Sequence, residues 1–155
     1  MKHLIKLLIV PFAITITPRV LANDTFTFGI GTGSLYSGVG INAGVQSKTD
    51  FKYISVGCVS YSSIYEETCG IGIGWVKTDI FNFQTPKQGL SLYLGIVDNE
   101  YVKSDHKAVY GAGLGYHYFF NGMGQQGVNL GFTVTAGNKN TGLDMGGIFQ
   151  LGYQF

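Results

Sequence analysis

The sequence has little charge, few prolines and almost no cysteine, and these shortages exclude several classes of protein. Only 12% of the 155 residues are charged, against 45% hydrophobic and 14% aromatic, which excludes a disordered chain. Beyond the first 22 residues no hydrophobic run reaches the roughly 20 residues of a spanning helix, which excludes a helical membrane protein. Glycine, in contrast, is abundant at 24 residues. Because glycine costs about 1 kcal/mol in a helix interior, a helical bundle is also excluded, and an all-β protein remains.

The first 22 residues have the composition of a removable leader. Two lysines give it a basic start, an apolar stretch follows from Leu4 to Ile16, and Ala22 supplies the small residue expected before a cleavage site. We therefore predict a cleaved signal peptide over 1–22 and one exported domain over 23–155. That domain keeps seven basic residues against nine acidic ones, so it lacks the basic surface that nucleic acid requires.

From Thr25 onward the chain repeats one pattern, in which about ten residues alternate in polarity and a cluster of turn formers follows. Strict alternation of this kind is typical of β-strands, whose successive side chains point to opposite faces. The pattern predicts eight strands, over residues 25–33, 38–47, 52–60, 68–77, 89–97, 108–119, 127–137 and 142–155.

The two faces of these predicted strands differ in an unusual way. One carries leucine, valine, isoleucine and phenylalanine, and the other carries glycine, serine, threonine and amides instead of the charged residues of a solvated face. Small polar residues inside and apolar residues outside are typical of a membrane barrel, which must close because lipid satisfies no open strand edge. We predict an eight-stranded antiparallel up-and-down transmembrane β-barrel. Aromatic residues near the segment ends would form its interfacial girdles: Phe26, Phe28, Trp75, Tyr116, Tyr118, Phe120, Tyr153 and Phe155.

An even strand number places the odd-to-even connections outside the cell, near 34–37, 61–67, 98–107 and 138–141, and the others in the periplasm, near 47–51, 78–88 and 121–126. The strand that contains Trp75 is expected to leave the hydrocarbon there or to bulge, because Lys77 and Asp79 would otherwise face lipid. The longest external connection is the candidate surface loop, and no metal is assigned to it. Its charged residues are Asp98, Glu100, Lys103, Asp105, His106 and Lys107.

Cys58 and Cys69 lie in adjacent predicted strands of a chain that is exported to an oxidising compartment. We predict a disulfide between them, with two free thiols as the alternative. The bond would place residues whose numbers sum to 127 opposite each other, so that Val56 faces Ile71 and Lys52 faces Trp75. Tyr53 would lie beside Gly74 on the inner face.

Two further patterns bear on chemistry. Gly122-Met-Gly124-Gln-Gln-Gly127 matches a dinucleotide fingerprint literally, but a strand follows it where the fingerprint needs a helix, so we predict a turn. His117 faces the barrel interior, where large side chains including Tyr53, Tyr93 and Phe119 are expected to fill the space opposite inward glycines; a ligand cavity is the alternative. The inward glycines are 29, 31, 33, 70, 72, 74, 111, 113 and 115.

Tyr110-Gly-Ala-Gly-Leu-Gly-Tyr-His-Tyr-Phe119 resembles a strand of small Gram-negative outer-membrane β-barrels, the group of the OmpA transmembrane domain and the OmpX-type barrels. The ending is similar to the signal by which their assembly machinery recognises them, with Phe149, Leu151, Tyr153 and Phe155 in the signal positions. The resemblance implies a monomer in outer-membrane lipid and lipopolysaccharide, handled by periplasmic chaperones and the assembly machinery, without a cofactor. Lipid A deacylases of similar size carry His-x-Ser, whereas this chain has His117-Tyr-Phe119.

We therefore expect a non-enzymatic outer-membrane barrel with a structural or surface-interaction role in the cell envelope. One alternative is a lipid-modifying barrel enzyme, a lipid A hydrolase or acyltransferase, that uses His117 with an unidentified serine and with Asp144; Ser55, Ser91 and Asp144 are scattered in the sequence without a link to His117. Another is a soluble periplasmic or secreted barrel that carries an apolar ligand.

Overall fold

The computed structural model describes residues 24–60, 67–80, 85–102 and 105–155. They form one closed antiparallel barrel of eight strands in which every strand pairs with its neighbours in sequence and β1 pairs with β8, so the predicted fold class is confirmed. The predicted signal peptide and most of the predicted connection 61–67 lie outside the described residues. The strands are β1 (Thr25–Gly33), β2 (Gly38–Gln46), β3 (Asp50–Ser60), β4 (Thr68–Lys77), β5 (Gln88–Val102), β6 (Asp105–Phe119), β7 (Gly127–Lys139) and β8 (Gly142–Gln154).

The two ends of the barrel are distinguished by their connections. We call proximal the end at which β1 begins and β8 ends, together with the connections β2–β3, β4–β5 and β6–β7. The other end, where β1 meets β2 and β7 meets β8, is called distal. No helix among the described residues is long and apolar enough to cross a membrane.

The register of β3 and β4 confirms the pairing predicted from the cysteines. Cys58 and Cys69 are disulfide-bonded and directly opposed. Along the same ladder Val56 faces Ile71, Ile54 faces Ile73, Lys52 faces Trp75 and Tyr53 faces Gly74. The Lys52 ammonium lies 6.0 Å from the centroid of the Trp75 ring, at the outer limit of a cation–π contact. These residue pairs were not used to predict the disulfide, and they face each other as the predicted register requires.

The largest differences from the predicted strand ends are at the distal ends of β5 and β6. β5 continues to Val102 and β6 begins at Asp105, so the expected loop 98–107 is a β-hairpin, with one irregularity in its ladder between Ile96 and Asp98. The neighbouring β7–β8 hairpin supports this extension, because Lys139 and Asn140 bond to Asp98 and Glu100. β4 runs without a bulge to Lys77, two residues beyond Trp75, and ends there.

The barrel interior is packed with side chains opposite the inward glycines. A Cβ added to Gly74 would meet the Tyr53 ring, and one added to Gly72 would meet Tyr93 at 2.5 Å. The predicted filling of the lumen is therefore confirmed for these pairs. Apolar side chains close the proximal end of the interior, all of them buried: Phe51, Val76, Phe119 and Met123. The literal dinucleotide fingerprint is the β6–β7 turn, with Gly122 and Gly124 at φ of 94° and 91°.

Candidate functional site

The connection between β1 and β2 folds into the barrel instead of standing above it. Ser34–Tyr36 forms a short 3-10 turn, η1, and all three of its residues are buried. Gly33 and Ser37 flank the turn with positive φ of 110° and 56°, which lets the chain reverse direction within a few residues. The Tyr36 ring packs against Gly152, where a Cβ would collide with it. η1 therefore lies inside the lumen and extends from the β1–β2 connection toward the proximal end.

Polar side chains on β7 and β8 hold η1 in this position. The Asn129 amide lies 2.9 Å from the Tyr36 hydroxyl, and the Leu35 amide donates to Gln150 Oε1 at 3.2 Å. Ser34 Oγ lies 2.7 Å from Thr133 Oγ1, and the amides of Gln150 and Asn129 are bonded to each other at 2.9 Å. Because buried polar groups are costly unless they are hydrogen-bonded, this network favours one arrangement of the turn.

His117 and Ser91 form a buried pair with the chemistry of a base and a nucleophile. The His117 Nε2 and Ser91 Oγ atoms are 2.6 Å apart, the distance expected between a general base and a nucleophile. Both residues are enclosed, with exposed fractions of 0% and 3%. Among the described residues, no group bonds the other ring nitrogen, Nδ1, which in a catalytic triad is held by an acid.

Asp144, the acid considered with His117 in the sequence, lies elsewhere. His117 is opposite Gly131 on β7, whereas Asp144 is opposite Gly137, six residues further along the same strand. At a rise of about 3.4 Å per residue the two sites are ~20 Å apart. The structure therefore brings His117 together with Ser91 but not with Asp144. Ser55 is not bonded to His117 either, because its hydroxyl bonds to that of Ser37.

The distal hairpin, residues 97–102 and 105–109, carries most of the charged residues predicted to form the surface loop. Asp98 and Glu100 bond to residues of the β7–β8 hairpin, and His106 Nδ1 lies 3.2 Å from the Asn99 amide. Glu100 accepts hydrogen bonds from the backbone and side-chain nitrogens of Asn140 at 2.9 and 3.0 Å. Lys103 and the Asp105 side chain lie outside the described part of the chain, and Lys107 is exposed.

Lys139 connects the distal hairpin to β8. Its ammonium lies 2.6 Å from a carboxylate oxygen of Asp144 and 2.6 Å from one of Asp98. These hydrogen bonds to Asp144 and Asp98 raise the pKa of Lys139 above its ordinary value, so the bridging ammonium stays charged at neutral pH. The β5–β6 and β7–β8 hairpins are thereby joined at the distal rim.

A second group of charges lies at the proximal end, level with Trp75. The Trp75 indole donates to Asp50 at 2.9 Å, and the Lys77 ammonium lies 3.7 Å from Asp50 and 3.1 Å from Asp79. Burial opposes ionisation of Asp50, but hydrogen bonds from Trp75 and Thr49, with the nearby lysine charges, hold its pKa below the ordinary value. Lys77, whose charge was expected to face lipid if the strand continued, is therefore paired with the carboxylates of Asp50 and Asp79.

The outward face of the barrel is apolar. Twenty-nine large apolar side chains of the described residues are exposed, and the outward positions of β7 from Val128 to Ala136 contain no polar residue. The disulfide lies on this face, since Cys58 and Cys69 alternate with inward Gly57 and Gly70. Glu67 lies close to both sulfurs, but a disulfide sulfur is not the thiolate that metals bind.

The four residues of the predicted assembly signal all point outward near or within β8. Phe149, Leu151, Tyr153 and Phe155 are 79%, 54%, 38% and 42% exposed. Phe155 stacks on Phe28 at 4.8 Å between ring centroids, and this contact lies beside the β1–β8 closure. Recognition of these residues by assembly machinery stays a prediction.

Three features of the interior and rim were not predicted from the sequence: the inward fold of η1, the Ser91–His117 pair and the bridging role of Lys139. A turn between two strands is normally solvated, and Leu35 and Tyr36 between Gly33 and Gly38 were the only sign that this one is buried. The other two features depend on register across β5 to β8, which the sequence did not specify.

No protein-family model, curated protein or solved structure matches this chain.

Proposed function

We propose that this chain is an integral β-barrel of the Gram-negative outer membrane with a structural or surface-interaction role. The observation that carries the proposal is the polarity of the wall: apolar side chains point outward and hydrogen-bonded polar ones point inward. A barrel that works in water has the opposite arrangement. Monomeric soluble proteins rarely expose apolar patches beyond a few hundred Å², whereas here the apolar surface continues around the strands.

The height of this apolar surface supports the same proposal. Eight residue steps separate Val128 from Ala136 on β7. With a rise of about 3.4 Å and a strand tilt of about 40°, they span ~20 Å along the barrel axis, close to the ~25 Å band of outer-membrane barrels. The charged groups at Lys77 and Lys139 lie at the two limits of the apolar surface, where the interfaces would be.

The packed interior favours a structural role over transport. η1 lies inside the lumen, and Phe51, Val76, Phe119 and Met123 close the proximal end. An eight-stranded barrel leaves an interior just wide enough for side chains. The distal hairpin is then the part that would contact lipopolysaccharide or another surface. Its strands and its bridge through Lys139 give that contact a rigid platform.

The resemblance of the chain's ending to an assembly signal supports partners of the same kind. We include in the proposal a cleaved leader over 1–22, passage through periplasmic chaperones, and insertion by the assembly machinery as a monomer surrounded by lipid and lipopolysaccharide. No cofactor is part of it.

Cell fractionation with electrophoresis of unheated and boiled samples tests the proposal. We expect the protein in the outer-membrane fraction, migrating faster before boiling because a closed barrel resists detergent unfolding. Reductant should change the mobility of the boiled band through the Cys58–Cys69 bond. A water-soluble periplasmic protein that needs no detergent would contradict the proposal and favour the ligand-carrying barrel. Turnover of lipid A in cells that is lost on His117→Ala would favour the enzyme instead.

A further inference from the structure

The apolar outward face of the barrel has a groove over Ala43 on β2. Ala43 has a small side chain, whereas its outward neighbours along β2 are valine or isoleucine and Ile54 lies opposite it on β3. The groove has a volume of about 200 Å³. Its walls are the exposed side chains of Ile41, Ile54, Val56 and Ile71. The outward side chains of the groove therefore offer apolar contact only.

A cation lies at the proximal end of this groove. Lys52 is the next outward residue after Ile54 on β3, about 7 Å further toward the proximal end. Its side chain is exposed, and its ammonium lies 6.0 Å from the centroid of the Trp75 ring. Among the described residues no carboxylate lies within 4.0 Å of this ammonium, whereas Lys77 is paired with two carboxylates. Lys52 therefore has a charge to offer to a ligand.

The proposed membrane gives the groove and the cation a common direction. Lys52 is level with Trp75, and tryptophan rings collect at the interfaces of membrane proteins. From that level the groove leads past Ile54 and Val56 toward the middle of the apolar surface. A phospholipid has the same order, since its phosphate lies at the interface and its acyl chains extend into the hydrocarbon. Lysine binds phosphate as a point charge and therefore does not require one fixed headgroup geometry.

A second groove on the outward face has no such cation. It has a volume of about 380 Å³ and lies over Ala112 on β6 and Ala136 on β7. None of its lining residues is charged. The next outward residues on these two strands are also uncharged, namely Tyr110, Tyr116, Phe132 and Asn138. In a bilayer any acyl chain could fill this second groove, so only the groove beside Lys52 combines chain contact with a charge for the headgroup.

We propose that the groove over Ala43 binds one acyl chain of a phospholipid whose headgroup phosphate contacts the Lys52 ammonium. The proposal rests on the membrane location proposed above and names a lipid that would stay with the barrel there. Asp50 and Asp79 balance the charges of Lys52 and Lys77 at this end of the barrel. Because the surroundings carry no excess of positive charge, the site suits a zwitterionic phospholipid, and the phosphate itself, together with the chain, provides the recognition.

Trp75 is the single tryptophan of the chain, so its fluorescence reports on this site alone. The purified, folded barrel in a neutral detergent is titrated with phosphatidylethanolamine whose acyl chains carry bromine close to the headgroup, because bromine quenches tryptophan at short range. Quenching should saturate. Brominated diacylglycerol has the same chains without the phosphate, and it should need a mole fraction about three- to fivefold higher for half-maximal quenching.

Three variants separate the contributions of the charge and of the groove. Lys52→Gln removes the charge and should raise the half-maximal mole fraction of the phospholipid about three- to fivefold, while leaving that of the diacylglycerol unchanged. Ala43→Leu fills the groove and should weaken the binding of both lipids. Ala112→Leu fills part of the groove that has no cation, so it is the matched control and should change neither. Quenching is expressed relative to the unquenched fluorescence of each variant.

Equal quenching of the unmodified chain by the two lipids would overturn the proposal, even if Lys52→Gln does not fold. An unchanged response of the folded Lys52→Gln variant to the phospholipid would overturn it as well. Displacement of the phospholipid by inorganic phosphate would assign Lys52 to free phosphate and overturn the lipid site. The lipid site and the membrane location are separable, because a barrel that shows the heat-induced mobility shift but binds both lipids equally contradicts the lipid site alone.

Discussion

At the scale of single residues, space inside the barrel depends on glycines that face large side chains. A Cβ at Gly152 would meet the Tyr36 hydroxyl and ring, whereas one at Gly146, further along the same strand and on the same face, meets only Thr135 Oγ1 at 3.4 Å. Tyr36 is fully buried and bonded to Asn129, so it has little freedom to move aside. The barrel therefore has room for a methyl group at Gly146 but not at Gly152.

Gly152→Ala should lower the free energy of unfolding by about 1–3 kcal/mol, because overpacking forces Tyr36 or the backbone to shift. Gly146→Ala is the matched control and should change it much less. Urea unfolding of the folded barrel, followed by Trp75 fluorescence, measures both. In the Tyr36→Ala background the cost of Gly152→Ala should largely disappear; a cost that stays the same would show that the collision with Tyr36 is not its cause.

At the scale of elements, pairing between hairpins determines how the barrel wall is supported. The β3–β4 hairpin is cross-linked by Cys58–Cys69 near its distal turn, with 11 residues of sequence separation. The β5–β6 and β7–β8 hairpins are joined instead by Lys139 and by the bonds between Glu100 and Asn140. One hairpin is thus held covalently and the other two by charge and hydrogen bonds.

Replacing both Cys58 and Cys69 by serine should lower the free energy of unfolding by about 2–3 kcal/mol, because the bond reduces the conformational entropy of the unfolded chain. Urea unfolding with and without reductant is the measurement. Reductant should destabilise the unmodified chain by a similar amount and leave the double variant unaffected. If reductant changed neither protein, the bond would contribute nothing to stability.

At the scale of the whole molecule, the environment of the outward face separates the proposed membrane barrel from a soluble one. Leu114 is outward and 67% exposed, between Leu92 on β5 and Val134 on β7. In water an arginine at such a position would cost little, because the side chain is already solvated. In a bilayer it would lie near the middle of the hydrocarbon.

Leu114→Arg should therefore reduce the stability of the barrel in lipid vesicles by about 2–4 kcal/mol, measured by denaturant titration of folding into vesicles. Asn138→Arg, outward at the distal end of β7, is the control and should cost about 0–1 kcal/mol. Equal and negligible costs at both positions would contradict insertion into the membrane.

Much of the barrel wall could be predicted from the alternation of polar and apolar residues along the sequence. Alternation with period two follows from strand geometry and needs only neighbouring residues, so the strand number and the inward glycines were correct. The β3–β4 register could also be predicted, because one covalent link between Cys58 and Cys69 determines every later pair on the ladder. The ends of β5 and β6 could not, because charged residues such as Asp98 and Glu100 form strands only where a partner hairpin supports them.

The sequence by itself determined the class of this protein: an all-β chain of eight alternating segments, with apolar residues on one face, small polar residues on the other, and one cross-link. Only the tertiary structure decided what fills the barrel and what remains open. Tyr36 enters the lumen because β7 and β8 place Asn129 and Gln150 beside it. Phe26 faces Val45 on β2 but no residue of β8, because the register that closes β1 on β8 covers only Gly29 to Thr32. Both outcomes depend on contacts between residues more than 90 positions apart, which no local pattern contains.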